Sequence, residues 1–407
     1  MPTFATLETW ARSSIQDLLQ RVLEEEVTEF LGRTRYQRRS AVDATPGSRN
    51  GHGKPRQVSL MSGTVQVRRP RVRGLEERFE SRILPLFLRR THEVTRMLPE
   101  LYLHGLSQGD FELALRGLLG NGAPLSASSI GRLRAQWEEE LETWRERRLD
   151  DRELVYAWAD GIYVKAGLEK DKAALLVVIG AMSDGRKEVL SVWPGYREST
   201  ASWLKVLRDL RDRGLRAPLL LMADGGLPIW SATEQVWPQA SHQRCWNHKI
   251  LNVLDDLPKK VQGKARALLT QIPAAETRQE AEKRRNTFAR RYHDRYPQAV
   301  ATLERDWERM VTFYEFPKEH WKHLRTTNPV ESPFASVRLR THAGKRYKRV
   351  QGATALIWRV LMVAEKRFRK LNAPELLPLV YAGQQNQDGK PIKNEKTSTK
   401  RRLKQAA

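Results

Sequence analysis

The sequence contains one cysteine and no apolar run long enough to span a membrane. A single cysteine excludes an internal disulfide and any zinc finger that needs two or more thiolates. Without about 18 consecutive apolar residues, no transmembrane helix is expected. The N-terminal segment MPTFATLETWARSS also lacks the basic-then-apolar pattern of a secretory signal. We therefore expect a cytoplasmic protein with no membrane partner.

Acidic residues are scarce relative to basic ones. The 407 residues include 48 Asp and Glu against 72 Lys and Arg, which gives a formal net charge of +24. A basic excess of this size indicates phosphate polyanions as partners. A ribosomal or structural RNA-binding protein is usually shorter and poorer in tryptophan than this chain, which has 12. The length allows two or three domains with an ample core.

The N-terminal part of the chain is predicted to be helix followed by hairpin. Residues 6–31 carry apolar side chains at helical spacing, and Gly32 can end that helix. The segment SRNGHGKPR is rich in turn-forming residues and predicts a loop. The next segment, QVSLMSGTVQVRRPRVRG, alternates on both sides of Ser62-Gly63, as a β-hairpin does.

Residues 91–148 have helical spacing throughout, with the rhythm of a helix-turn-helix in their middle. The pattern predicts a short helix from about Ser107 to Leu118, a glycine-bearing turn, and a second helix capped by Ser126 or Ser128. Spacing does not separate a DNA-binding helix-turn-helix from a plain αα-hairpin. Both alternatives stay open.

From residue 152 the apolar period becomes that of β-strands. The segment ELVYAWADGIYVKAG predicts a central strand, and AALLVVIGAM and KEVLSVWPG flank an Asp-Gly turn at 183–186. TASWLKVLRDLRDRGL then predicts an amphipathic helix, APLLLMAD a buried strand, and IWSATEQVW another helix. The predicted order is β-β-β-α-β-α.

Charge and composition indicate the organisation of the remaining chain. Residues 246–322 are helical and charged, a further long helix follows Glu331, and the C-terminal segment is polar and lysine-rich. The predicted regions are an N-terminal helical and β-hairpin region (1–90), a helix-turn-helix-like DNA-binding region (91–150), the first part of the core (151–240), a helical insertion (241–322), the second part of the core (323–383) and a basic disordered tail (384–407).

Three carboxylates are candidates for a catalytic site. Asp160 interrupts the first apolar strand, Asp224 ends the fourth, and Glu331 opens an arginine-rich stretch. If those two strands are parallel neighbours, both aspartates emerge near one edge of the sheet, and a glutamate on a later helix can join them. Three carboxylates suit two Mg²⁺ ions, with Mn²⁺ as an alternative, because such ions take oxygen ligands and promote in-line phosphoryl transfer.

Each carboxylate also has a purely structural explanation. Asp160 could be a turn residue because Gly161 follows it, and Asp224 could simply begin a loop. Glu331 could be a first-turn residue favoured by the helix dipole, a role that is compatible with metal binding. Asp184 has a similar sequence context, but its hairpin turn explains it more simply.

In ordered segments from about residue 47 to 370, the chain resembles the bacterial Mutator-type insertion-sequence transposases. The segments include RNGHGKPRQV, DGIYVK, GRKEVLSVWPGYRESTASWLKVLRDLRDRGL, HQRCWNHKILNVL and TTNPVES. The resemblance implies a DDE triad of Asp160, Asp224 and Glu331 that binds metal. The fold class it implies is α/β, with a ribonuclease H-like mixed-sheet catalytic core, an all-helical insertion and a mainly helical N-terminal DNA-binding region.

Cys245-Trp-Asn-His248 matches the Cys-x-x-His element of that family. The resemblance implies that Cys245 and His248 support the active site or handle DNA near it. A zinc site is an alternative, although the chain has no second cysteine and the other ligands would be scattered histidines. A buried structural cysteine is a third alternative.

A basic cluster, RLRTHAGKRYKR, follows the candidate glutamate at residues 338–349. Such a cluster can neutralise DNA phosphates, and each neutralised phosphate steepens the salt dependence of binding. Trp307 or Trp321 could stack on an extruded base, although tryptophans on helices are more often core residues. The residues predicted to contact DNA are Arg338, Arg340, Lys345, Arg346, Lys348 and Arg349.

The predicted function is that of a transposase. The resemblance implies binding of double-stranded DNA at terminal inverted repeats, cleavage that frees a 3′-hydroxyl, and strand transfer to target DNA. It also implies a homodimer or higher oligomer acting on paired ends, and excision through a copied, circular intermediate. The alternatives are a structure-selective nuclease of ribonuclease H type and a non-enzymatic DNA-binding regulator.

Overall fold

The structure, a computed structural model, describes residues 3–39, 45–76, 79–106, 110–120, 127–166, 173–195, 198–343 and 347–392. The chain divides into two compact units, Met1–Arg134 and Ala135–Ala407, and each has its own apolar core. None of the described helices combines the length and the apolar character that a membrane span requires.

The N-terminal unit packs one long helix against short antiparallel strands. The helix ends at Gly32, as its sequence predicts, and the predicted turn at Ser62-Gly63 joins two paired strands. Leu23 of the helix packs with Val58 and Val65 of the strands. The elements are α1 (Leu7–Leu31), β1 (Ser48–His52), β2 (Arg56–Leu60), β3 (Gly63–Val67), β4 (Pro70–Arg73), α2 (His92–Leu103) and α3 (Asp110–Leu119).

The prediction of a loop at SRNGHGKPR is wrong for its first part. Residues 48–52 form β1, which pairs antiparallel with β4, so the predicted hairpin ends at β3. Glu24 of α1 explains this arrangement, because its carboxylate accepts hydrogen bonds from the side chains of Arg49 and His52. A contact with a helix about 25 residues away leaves no periodic signal in the strand itself.

Three helices account for the predicted helical stretch 91–148. The third, α4 (Ala127–Glu146), crosses the division between the two units. Ser128 lies inside α4, while Ser107 and Ser126 lie outside the described residues. Helix-turn-helix recognition of DNA by this region stays a prediction.

The C-terminal unit is built on a mixed five-stranded sheet. The order of its strands is β7-β6-β5-β8-β9, with β5 and β8 as parallel neighbours. This arrangement confirms the predicted β-β-β-α-β-α order and adds a fifth strand at the edge. The strands are β5 (Leu154–Val164), β6 (Ala173–Met182), β7 (Lys187–Gly195), β8 (Leu220–Ala223) and β9 (Ser241–Arg244).

Alternation along β5 distributes its side chains between the two faces of the sheet. Ala157 and Ala159 join the core formed with two amphipathic helices, α5 (Thr200–Asp212) and α6 (Leu227–Val236). On the other face, the Tyr156 hydroxyl hydrogen-bonds to Nδ1 of His320 at 2.9 Å, and the indole N–H of Trp158 donates to a backbone carbonyl at 2.9 Å. The central strand is therefore buried on both sides, as its apolar sequence predicts.

Most of the remaining chain is helical. The range predicted as the helical insertion, 241–322, begins with β9, an edge strand of the sheet, and the helices follow it. These helices are α7 (Trp246–Asp255), α8 (Lys259–Gln271), α9 (Arg278–Tyr292), α10 (Pro297–Glu304), α11 (Trp307–Val311), α12 (Trp321–Leu324), α13 (Asn328–Ala343), α14 (Val350–Glu365) and α15 (Leu377–Tyr381).

The predicted disorder from residue 384 is wrong for its first nine residues. A small hairpin forms there from β10 (Asn386–Gln387) and β11 (Lys390–Pro391). Gly389 attaches it to the helical segment, because its N–H donates to the Tyr314 carbonyl at 3.1 Å and its carbonyl accepts from the Lys318 N–H at 3.3 Å. These tertiary contacts order a segment that is polar in composition. Residues 393–407 lie outside the described part of the chain.

Gln243 of β9 ties the edge of the sheet to the helical segment. Its side chain is fully buried, donates to the Met310 carbonyl at 3.1 Å and accepts from the Phe313 N–H at 2.8 Å. A buried group left without its partner costs about 1–3 kcal/mol. Gln243→Leu is therefore expected to lower the free energy of unfolding by about 2–4 kcal/mol in urea denaturation. The exposed control Gln271→Leu is expected to change it by less than about 0.5 kcal/mol, and equal effects would contradict this assignment.

Candidate active site

Asp160 lies in the middle of β5, paired across the ladder with Val177 of β6. Its carboxylate accepts a hydrogen bond from the Gly161 N–H at 2.8 Å. Burial raises the pKa of Asp160 to about 7, and the nearby Glu331 and Glu198 carboxylates add to this rise. Because like charges surround it in a partly buried cleft, ionised Asp160 would be stabilised by a cation.

Asp224 follows directly after β8, beside the strand that carries Asp160. The next residue, Gly225, has φ +105°, and a Cβ there would collide with the Arg244 side chain. The Arg244 guanidinium donates to the Asp224 backbone carbonyl at 3.1 Å and to Asp306 at 2.8 Å. The end of β8, the conformation of Gly225 and the Arg244 hydrogen bond together fix this turn. The Asp224 side chain is 47% exposed.

Glu331 lies in the first turn of α13, as its position after Asn328-Pro329 predicts. Its N–H donates to the Thr327 carbonyl at 3.0 Å. The Thr327 hydroxyl in turn donates to the Glu331 carboxylate. Thr327, one helical turn before Glu331, therefore orients the glutamate before any ligand arrives.

His248 connects two of the three carboxylates. It lies in the first turn of α7, with Nδ1 3.5 Å from Asp224 Oδ1 and 3.8 Å from Glu331 Oε1. Those two carboxylate oxygens are therefore no farther apart than the sum of these distances. The pKa of His248 is raised to about 9, mainly by a hydrogen bond with Cys245. Burial opposes this rise, and electrostatic attraction to Cys245, Asp224 and Glu331 adds to it.

Cys245 precedes α7 and is completely buried. Its sulfur accepts the Thr327 N–H at 3.4 Å, which ties the start of α7 to the segment before Glu331. In the described ranges, the set of three potential metal ligands whose donor atoms all lie within 4.8 Å of one another is Cys245, His248 and Glu331. Asp160, Asp224 and Glu331 are less tightly clustered than that set.

The donor chemistry decides which metal suits this region. Asp160, Asp224 and Glu331 offer carboxylate oxygens, which suit Mg²⁺ and Mn²⁺. The Cys245 thiol already accepts a backbone hydrogen bond and is closed to solvent, which is typical of a structural cysteine. The residues present therefore fit a hard divalent ion at the carboxylates better than zinc at the cysteine.

Glu198 is a further residue of this cleft, and the sequence analysis did not single it out. It lines the cleft together with Asp160 and Asp224. Burial raises the pKa of Glu198, and the Asp224 carboxylate adds to the rise. Its position immediately before Ser199, whose hydroxyl caps α5, could have indicated a residue near the edge of the sheet.

Comparison with known families identifies the chain. The sequence model described as "Transposase, Mutator family" matches residues 4–370. The chain belongs to the Mutator family of transposases. This transposase is 45% identical over 290 residues to a transposase for insertion sequence element IS6120 of Mycolicibacterium smegmatis, covering 71% of this chain and 90% of that relative.

Two further relatives extend the similarity. Over 280 residues the transposase is 43% identical to that of element IST2 from Acidithiobacillus ferrooxidans, covering 68% of this chain and 95% of the relative. Over 367 residues it is 28% identical to that of element ISRM5 from Rhizobium meliloti, covering 89% of each chain. The similarity therefore includes both the N-terminal unit and the C-terminal unit that carries the three carboxylates.

The predicted DNA-contacting cluster of the transposase is only partly on the surface. Arg340 is 2% exposed, because it lies on the same face of α13 as buried Phe334 and Val337. A DNA phosphate therefore cannot reach its guanidinium. The prediction that Arg340 contacts DNA is corrected accordingly. Lys345 and Arg346 lie outside the described residues. The exposed members are Arg338, Lys348 and Arg349.

Three other residues that were expected to contact DNA have structural explanations in the transposase. Arg349 is exposed but forms an ion pair with Glu138 at 3.0 Å. Trp307 and Trp321 are 7% and 4% exposed, so both are core residues rather than platforms for an extruded base. Arg338 and Lys348 are the clearest candidates for phosphate contacts in this segment.

Proposed function

We propose that this insertion-sequence transposase binds the terminal inverted repeats of its element and cuts DNA with a metal-dependent DDE site. The observation that supports the proposal is the placement of Asp160 on β5 and of Asp224 directly after its parallel neighbour β8, with Glu331 of α13 near enough to Asp160 to add to the rise in its pKa that burial causes. His248, within 4 Å of both Asp224 and Glu331, links the helix to the sheet. The relatives are named as transposases for insertion sequence elements, which supports the proposal.

The topology of the sheet supports a ribonuclease H-like core. Three antiparallel strands are followed by a helix and then by a parallel strand next to the first, in the order β7-β6-β5-β8-β9. In such a sheet, an acid on the first strand and another at the end of the fourth lie at neighbouring positions. The helical segment between β9 and α13 corresponds to the insertion implied by the resemblance.

The three carboxylates would hold two Mg²⁺ ions, which activate a water or 3′-hydroxyl and stabilise the leaving oxygen. The chain's own residues prepare this arrangement. Thr327 orients Glu331, and Arg244 fixes the backbone at Asp224. His248 provides positive charge between two carboxylates. No covalent enzyme intermediate is required, and every protein residue named here acts by position and charge.

DNA binding is proposed for the N-terminal unit and for the exposed cations after Glu331. The net charge of +24 supports a polyanionic partner of considerable length. Arg338 and Lys348 are exposed in the segment that follows Glu331, and they are the residues proposed to contact the strand being cut. We further propose a homodimer or higher oligomer, because two ends of one element must be cut and joined together.

The test is incubation of the purified full chain with labelled DNA from the ends of its element, with and without Mg²⁺. The expected result is end binding without metal, and cleavage plus joining to target DNA only when Mg²⁺ or Mn²⁺ is added. Cleavage without any joining would instead support a nuclease. Binding without cleavage in either metal would support a regulator, and either result would overturn the proposal.

A further inference from the structure

The Glu198 carboxylate occupies space beside Asp160 that is available because Gly161 has no side chain. The next residue along β5 is Gly161, and a Cβ at that position would collide with the Glu198 carboxylate. The absence of a side chain at Gly161 therefore lets the carboxylate approach the strand backbone next to Asp160. Any other residue at 161 would push Glu198 away from this position.

Tyr163 is a second residue of β5 that lies near Glu198. By strand alternation, Tyr163 lies on the same face of β5 as Gly161. Its hydroxyl lies near Glu198, and burial together with the Glu198 carboxylate raises the pKa of Tyr163. Gly161 and Tyr163 of β5 therefore define the place that this residue of the β7–α5 connection takes beside Asp160.

The charge around Glu198 is unbalanced. It lines one cleft with Asp160 and Asp224, so three carboxylates face the same space. Within the part of the chain that the structure describes, no lysine or arginine pairs with Glu198 at ion-pair distance. The positive charge of His248 acts on Glu198, but one imidazolium cannot balance three carboxylates. A divalent metal ion suits the remaining negative charge, since hard divalent cations collect carboxylate oxygens.

We propose that Glu198 is a fourth carboxylate of the metal centre, binding a divalent cation together with Asp160, and that Gly161 and Tyr163 position it. The inference rests on the proposed function, because it assumes that Asp160 and Asp224 bind metal. It assigns a role to the glutamate of the GYREST segment and to the glycine that follows the first catalytic aspartate.

The test measures metal binding directly, without DNA. The affinity of the full chain for Mn²⁺ is measured by calorimetry or by the electron paramagnetic resonance signal of free Mn²⁺. Glu198→Gln is expected to weaken binding by about 10–100-fold, a range typical when groups that tune a metal site are lost. Gly161→Ala is expected to weaken it similarly, because the added methyl displaces the carboxylate while keeping its charge. Tyr163→Phe is expected to have a smaller effect in the same direction.

Controls separate a local effect from a damaged fold. Glu304→Gln removes an exposed glutamate of α10 and is expected to leave Mn²⁺ affinity unchanged. Thermal unfolding and metal-free binding to DNA ends are expected to match the wild type for all four variants. Loss of end binding with Glu198→Gln would indicate a structural role and overturn the inference.

Failure of this inference is distinguishable from failure of the proposed function. If Asp160→Asn weakens Mn²⁺ binding while Glu198→Gln leaves it within twofold of wild type, only the role of Glu198 is wrong. If neither substitution changes Mn²⁺ affinity, the metal centre itself is wrong, and the inference falls with it.

Discussion

DNA cleavage is expected to fall by about a thousandfold or more when Asp224 is replaced by asparagine, while metal-free binding to the same DNA ends is retained. Asparagine has nearly the same shape but lacks the charge that holds a cation. The fold should tolerate the change, because the Asp224 side chain is 47% exposed and the turn is held through its backbone carbonyl by Arg244.

The control for Asp224→Asn is an aspartate that has a similar sequence context but lies outside the proposed site. Asp184 serves this purpose, since it also precedes a glycine, and its carboxylate accepts the Arg186 N–H in a surface hairpin. Asp184→Asn is expected to cleave at the wild-type rate, and Glu331→Gln to lose activity as Asp224→Asn does. Cleavage is measured in gels of labelled ends and binding by mobility shift. Parallel loss of both activities in Asp224→Asn would mean that the residue is structural.

Replacing Asp160 with asparagine is expected to stabilise the metal-free protein while abolishing cleavage. Burial and neighbouring carboxylates raise the pKa of Asp160 from the ordinary 3.8 to about 7. Between these values the folded state binds more protons than the unfolded state, so this group lowers the free energy of unfolding as pH rises from about 4 to 7. Asparagine removes that penalty and can still accept the Gly161 N–H.

The expected gain in the free energy of unfolding is about 1–4 kcal/mol at pH 8, and close to zero at pH 4. Urea denaturation of wild type and Asp160→Asn at both pH values measures it. Added Mg²⁺ should stabilise the wild type at pH 8 and have much less effect on the variant. A variant less stable than wild type at pH 8 would show that Asp160 is a structural carboxylate with a compensating partner.

Several features of the site were predictable because they are local. The apolar segments around Asp160 and before Asp224 predict buried strands, and an acid at such a position needs an explanation wherever it occurs. The position of Glu331 in a first helical turn follows from Asn328-Pro329. The proposal that Glu331 shares a metal site with the aspartates came from family resemblance, since no spacing rule connects residues so far apart.

Other features were not predictable from local pattern. Glu198 lies in the cleft because Gly161, on a strand distant in sequence, leaves room for its carboxylate. Tyr163 of the same strand lies near it. The strand β1 forms because Glu24 binds Arg49 and His52. The edge strand β9 pairs with β8 and is tied to the helical segment through the Gln243 side chain. Each of these depends on a tertiary contact rather than on periodicity.

Arg340 shows a signal that was present but overlooked. The charged cluster around it suggested a surface. Val330, Phe334, Val337 and Arg340 nevertheless recur at the three- and four-residue spacing of one helix face, and that face is buried. Periodicity was therefore a better guide than composition at this position.

The most direct test of the metal centre is affinity cleavage of the protein by iron. Fe²⁺ replaces Mg²⁺, and ascorbate with peroxide then generates hydroxyl radicals that cut the backbone near the bound ion. Cuts are expected near residues 160, 224 and 331, and excess Mg²⁺ should suppress all of them together. Cuts confined to the Cys245–His248 segment, or cuts that Mg²⁺ does not suppress, would contradict a cation site formed by the three carboxylates.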